Sequence, residues 1–160
     1  VITITSFTAS QANNIIPETV VLAGSARILN EEIEDLVTSR IRQIAEGICA
    51  AYGVTCEVRL DKGFGVVRND DQVTDAVRAI MQREFGADKV TADSPVLGGE
   101  DFSRYLEKAR GCYFKIGTRG LRDGVEYPHH HSRFCLNEDG LKYGVEAWLS
   151  ILTSIQDELN

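Results

Sequence analysis

Two alternating segments open the chain, VITITSFTA (1–9) and TVVLAGSARIL (19–29), with only the stretch SQANNIIPE between them. β-Branched residues at a period of two favour strands. Asn13, Asn14 and Pro17 supply the turn. Two strands so closely joined are expected to form an antiparallel pair. Asn30 then suits a helix N-cap, with Glu31 and Glu32 in the first turn where the helix dipole favours negative charge. Ile33, Leu36, Val37, Ile41, Ile44 and Ile48 recur at helical spacing, and Gly53 stops the helix after Tyr52. TCEVRL (55–60) reads as a third strand joining the first two.

Strand, strand, helix, strand is the order of the last four elements of a β-α-β-β-α-β, ferredoxin-like unit. The first strand and helix of such a unit would lie upstream. VITITSFTAS has no basic region of the kind that begins a signal peptide; it reads as the middle of a strand, so the chain is expected to start inside a domain.

DKGFGVVRNDD breaks the pattern and marks a boundary near residue 62. A helix is predicted from about Asp70 to Phe85, with Val73, Val77, Ile80 and Met81 inward and Gly86 as its stop. KVTAD (89–93) reads as a short strand, SPVLGGEDF as a loop entering a short helix, and CYFKIG (112–117) as a buried strand. Residues 118–140 show no clear periodicity, and long ordered loops of this kind are often functional. A last helix is predicted over about 138–158, with Leu141, Val145, Trp148, Leu149, Leu152 and Ile155 on its buried face.

The net charge of −7 excludes the basic footprint that nucleic acid or an anionic membrane requires. No apolar run approaches the ~20 residues of a membrane span. Cys49, Cys56, Cys112 and Cys135 form no C-x-x-C pair, which suits reduced thiols and a cytoplasmic protein. Cys49 and Cys112 read as small buried hydrophobes.

Three places carry chemistry. YPHHHSRF holds the chain's only histidines, His129, His130 and His131. Neighbouring side chains in an extended segment point apart, so at most one or two of them face a single ion. Zinc needs three or four protein ligands, and an exposed polar loop accounts for the run equally well. In GGEDF, Glu100 and Asp101 either serve the helix dipole or follow a glycine pair that lets backbone approach a ligand. Asn14 and Arg27, on a hairpin, can face one another and hold a carboxylate; otherwise Asn14 makes the turn and Arg27 is solvated.

Taken in order, ANNIIPETVVLAGSARILN, IRQIAEGICAAYG, GGEDFSRYLEKARGCYFKIG and PHHHSRFCLNEDGL resemble the C-terminal part of the dinuclear metal amidohydrolases. These are the aminoacylase and carboxypeptidase-like enzymes, here most similar to the hippurate and auxin-conjugate hydrolase subgroup. The resemblance implies an α/β (α+β mixed) fold in two parts. Residues 1–62 would be the later part of a ferredoxin-like dimerisation (lid) domain, and 63–160 the closing segment of a zinc-peptidase-like α/β catalytic domain. It implies that His130 is a metal ligand and that Asn14 and Arg27 bind the substrate carboxylate or the attacked carbonyl. Glu100 would line the site. The implied cofactor is a dinuclear divalent metal centre, zinc or manganese, and the implied substrate a small N-acyl amino acid. A homo-oligomer, a dimer, is the implied assembly.

Three positions depart from the family pattern: Ser132 stands near a usual proline, Cys135 at a usual acidic residue, and GFG (63–65) replaces a proline-containing stretch. The family's other metal ligands and its glutamate base have no counterpart in these residues. In the whole enzyme a metal-activated water would attack the amide carbonyl, the glutamate taking its proton and lid groups stabilising the oxyanion. The chain is therefore expected to be an inactive fragment. A non-catalytic dimerisation module and one subunit of a two-chain enzyme are the alternatives.

Overall fold

The two alternating segments pair: β1 (Ile2–Thr8) and β2 (Val21–Ala26) run antiparallel, with Ile2 opposite Ala26 and Thr8 opposite Val21. The computed structural model describes residues 1–9 and 12–159, so Ser10 and Gln11 of the expected turn lie outside the described residues. Ile4 pairs with Gly24 and Ser6 with Ala23, which makes Thr5 the extra residue of a β-bulge. A side chain at Gly24 would collide with the Thr3 carbonyl oxygen, so the strands meet closest where one is absent. The Val1 ammonium donates to Arg27 O at 2.7 Å, and Arg27 N–H to Val1 O at 2.8 Å, closing the open end.

The chain divides into two units, one of residues 1–66 with 94–104 and one of 67–93 with 105 onward. In the first, Asn30 Oδ1 accepts the Glu32 N–H at 3.0 Å, capping a 3-10 turn (Glu31–Ile33) that leads into α1 (Glu34–Ala51). No residue of α1 is buried. The predicted third strand does not form: residues 54–60 make no ladder, and Val58 O accepts from the Arg42 guanidinium at 3.1 Å instead. Strand-forming residues give a strand only where a neighbour offers an edge, and neither edge of β1–β2 takes up this segment.

The second unit holds the core. Asp70 Oδ1 accepts the Val73 N–H at 3.0 Å and caps α2 (Asp71–Phe85), which Gly86 ends at φ 94°. Val77, Ile80 and Met81 of α2 pack with Ala147 and Ile151 of α4 (Asp139–Leu159). Between α2 and α4 in the chain lies the single turn α3 (Ser103–Leu106), in the expected place. CYFKIG forms no strand either, although Cys112, Phe114 and Ile116 pack against the core as its alternation predicts. Asn69 substitutes for a neighbouring strand there: its Nδ2 donates to Tyr113 O at 2.9 Å and its Oδ1 accepts the Tyr113 N–H at 2.8 Å. KVTAD is likewise no strand; a 3-10 turn (Ala87–Lys89) takes its beginning.

α4 buries a face other than the predicted one. Gly140, Ala147 and Ile151 are inward and Ile155 is partly so, whereas Leu149 is 57% and Leu152 71% exposed. The apolar arc of the helix is broader than the face that α2 covers, and its small residues choose the contact. A side chain begun at Gly144 would lie 3.5 Å from Ile116 Cδ1, and one at Gly140 would strike Thr118. No helix among the described residues is long and apolar enough to cross a membrane.

Two expectations follow. Ile80 is 1% exposed, so Ile80→Ala should destabilise the chain by roughly 2–4 kcal/mol, the usual cost of such a cavity, read by urea unfolding. The Arg110 guanidinium, bonded to Asp70 at 2.8 Å through both Nε and Nη2, holds the Asp70 carboxyl down from 3.8 to about 2. The folded value lies below the ordinary one, so this stabilisation is complete above pH 3.8 and is lost as pH falls through about 2. A carbon-13 titration of the Asp70 carboxyl should show that midpoint, and Arg110→Gln should raise it.

Candidate functional site

The histidine run sits on a loop whose shape is set at its base. Arg119 and Leu136 form an antiparallel bridge, and Asn137 N–H donates to Thr118 O at 3.1 Å. Gly120 lies so close to the Cys135 carbonyl that no side chain fits between them. Inside this base, Arg122 and Val125 exchange two backbone bonds of 3.0 Å across Asp123 and Gly124. Their φ values of 54° and 74° are those of a type I′ hairpin turn. The Asp-Gly pair that signals such a turn is plain in RDGV, and periodicity alone passed over it.

The rings of the loop then stack. Tyr127 and His131 are nearly parallel at 4.5 Å, and the Arg133 guanidinium lies 4.6 Å from the Tyr127 centroid. Arg133 also pairs with Asp123. His131 N–H donates to Pro128 O at 3.2 Å, and His131 Nδ1 accepts the Arg133 N–H at 3.0 Å. That bond requires an unprotonated Nδ1 and so places the proton of a neutral His131 on Nε2. His129 meets Phe134 edge-on at 4.9 Å.

The three histidines are therefore unlike one another. His129 and His131 hold the loop through their rings. His130 is exposed, with φ 67° in the left-handed region that a residue with a side chain rarely takes. The surrounding Tyr127, Arg133 and Phe134 were not foreseen as its frame.

The first unit contains the other candidate residues. Arg27 stands opposite Val1 at the open end of the hairpin, and Asn14 belongs to the connection at the closed end, where Ile15 N–H bonds Ala12 O at 3.4 Å. An antiparallel pair puts these two places at opposite ends of β2, so the structure does not bring Asn14 and Arg27 face to face. What Arg27 meets is the glycine loop: its Nη1 donates to Leu97 O at 2.6 Å and lies 3.9 Å from where a Gly99 side chain would begin. Glu100 Oε1 accepts the Phe102 N–H at 3.2 Å, and its carbonyl accepts the Ser103 hydroxyl at 3.0 Å. Those bonds organise the entry to α3, the helix-start role open to it from the sequence.

Among the described residues, no three His, Cys, Asp or Glu side chains gather closely enough to hold a metal ion. The donors of this chain do not by themselves fit a dinuclear centre. His130 can supply one imidazole, and Arg27 a guanidinium directed at a backbone carbonyl.

Comparison with known proteins gives the context. Thermostable carboxypeptidase 2 of Saccharolobus solfataricus is 40% identical over 148 residues, 92% of this chain and 37% of that protein. N-acetyldiaminopimelate deacetylase of Streptococcus suis is 33% identical over 147 residues, 91% of this chain and 38% of its own. Among solved structures, the Bacillus subtilis YxeP protein, a dinuclear metal binding peptidase from the M20 family, superposes with a TM-score of 0.79 at 30% identity, covering 94% of this chain and 40% of its own. The chain thus spans well under half the length of these proteins. Residues 4–154 match the model of peptidase family M20/M25/M40, and the chain belongs to that family.

Proposed function

We propose that this chain is the C-terminal part of a metal-dependent hydrolase that cleaves the amide bond of N-acyl amino acids or related small amides, and that it is inactive alone. The observation that carries the proposal is His130: of three exposed histidines it is the one on a left-handed residue, framed by the ring contacts of its two neighbours. The names of the relatives support the reaction class, since a carboxypeptidase and a deacetylase both break an amide C–N bond. The solved relative described as dinuclear supports a two-ion centre, for which zinc or manganese is our choice.

In this reading His130 supplies one ligand, and the other ligands and the general base come from outside these residues. Arg27 and Asn14 serve a substrate carboxylate or carbonyl, each from its own end of the hairpin, and Glu100 keeps the glycine loop in shape at the site's border. Residues 1–62 act as the later part of a ferredoxin-like lid and 63–160 as the end of the catalytic domain, in a cytoplasmic enzyme. The uncovered apolar row Leu141, Val145, Trp148, Leu149 and Leu152 of α4 is where the rest of that domain would pack. The sheet supports a homodimer, because both faces and both edges of β1–β2 are open and unpaired edges seek partners.

In the complete enzyme, His130→Ala should weaken metal binding by more than ~100-fold, since even residues that only support a ligand cost about 10–100-fold. His129→Ala and His131→Ala should stay within that supporting range. Calorimetric titration of the metal-free enzyme with zinc and manganese measures all three, and equal losses would refute the assignment. The purified chain should carry no stoichiometric metal and show no amidase activity. Tight stoichiometric metal would instead mean ligands from a second copy or a companion chain. Light scattering should give a dimer; a monomer that persists at every concentration tested would remove the lid-dimer reading.

A further inference from the structure

α1 ends in a glycine-capped reversal. Gly53 takes φ 71°, its N–H donates to Ala50 O at 3.1 Å, and Val54 N–H reaches back to Cys49 O at 3.0 Å. Those two bonds are the Schellman arrangement, which turns the chain back on the helix it has just left. About two turns before Cys49, Arg42 Nη1 donates to Val58 O at 3.1 Å. The segment after α1 is therefore tied to the helix at Val54 and again at Val58. Cys56 falls between the ties, and Cys49 carries the carbonyl on which the first is made. Cys49 acts electrostatically on Cys56 and raises its thiol. Cys56 is exposed and Cys49 half-buried.

We propose that Cys49 and Cys56 form a redox modification site, a dithiol that reacts with small-molecule disulfides and closes into an intramolecular disulfide. The exposed Cys56 thiolate attacks one sulfur of a disulfide of the oxidised-glutathione class. That S–S bond breaks, and the departing thiolate takes up the proton Cys56 released. The Cys49 thiolate then attacks Cys56 Sγ, displacing the second small thiolate, which takes the proton from Cys49. The protein loses two hydrogens and the oxidant gains them, so two thiols become one disulfide and one disulfide becomes two thiols.

The backbone has already reversed between the two cysteines, which brings the segment holding Cys56 back along the helix that carries Cys49. The bond would staple the last turn of α1 to a segment that no strand ladder holds. The reaction has a built-in brake. Partial desolvation, together with the influence of Cys49 and the charge of Glu46, pushes the exposed Cys56 thiol up, and Arg42 only partly offsets them. Thiolate is scarce at neutral pH, so closure should accelerate in mildly alkaline buffer. Cys112 belongs to the core of the other unit, and Cys135 stands exposed on the histidine loop.

The sequence makes the test direct, because Arg42 and Arg59 bracket both cysteines and trypsin releases them in one peptide, residues 43–59. The full chain is equilibrated with oxidised and reduced glutathione in mildly alkaline buffer, alkylated, digested and weighed. The expected peptide is two hydrogens lighter than the dithiol form, carries no alkyl group, and regains both thiols with dithiothreitol. Cys49→Ser should retain a single glutathione on Cys56, because the second attack is gone. Cys135 reports whether the oxidant worked. Glutathione on Cys135 while peptide 43–59 is doubly alkylated would overturn the proposal, and so would a separate glutathione on each of Cys49 and Cys56.

Discussion

The seating of α4 governs the second unit. Ile80 and its neighbours on α2 hold Ala147 and Ile151, and Gly140 at the other end of the buried face leaves no room between α4 and Thr118. Thr118 is also the acceptor for Asn137, one of the bonds that close the histidine loop. The backbone angle at His130 thus depends on a chain of contacts that runs from an apolar core, through a glycine, to the base of a polar loop. A core substitution distant from the loop would reach it by loosening this base rather than by touching any histidine.

Much of this was legible in the residues. Caps and stops did the most: Asn30, Gly53 and Gly86 all act where the pattern put them, and Asp70, read as the start of its helix, is the residue that caps it, because a cap is a local bond between near neighbours in sequence. Strands fared otherwise. TCEVRL and CYFKIG have the composition of strands, yet a ladder is a property of two segments, and neither finds a partner among the described residues. Cys112, read as a small buried hydrophobe, does pack on the core, together with Phe114 and Ile116. The buried face of α4 was misjudged because large apolar residues were taken to mark it. Close packing was instead selected by the smallest ones, at one edge of an apolar arc broader than the face that α2 covers.

The candidate site divided along the same line. That one histidine of three should differ was an inference from strand geometry, and the structure separates them by ring contacts and backbone angle instead. Arg27 was read as a partner of Asn14 across a hairpin, but register places it at the other end, against the glycine loop. Long-range encounters of that kind have no signature in spacing. The chain spans about 37–40% of the proteins it resembles, and large apolar residues of α1, α4 and the hairpin are exposed.

The left-handed backbone at His130 sets stability against chemistry at a single position. Glycine, or asparagine, would sit there at less conformational cost than a histidine. Selection for a more stable loop would therefore favour discarding the imidazole. A histidine retained in that conformation is held there against the preference of its own backbone, by the rings and the closed base around it. A library screened for thermal stability alone would drift away from histidine at this residue, and would exchange the imidazole for a more comfortable turn.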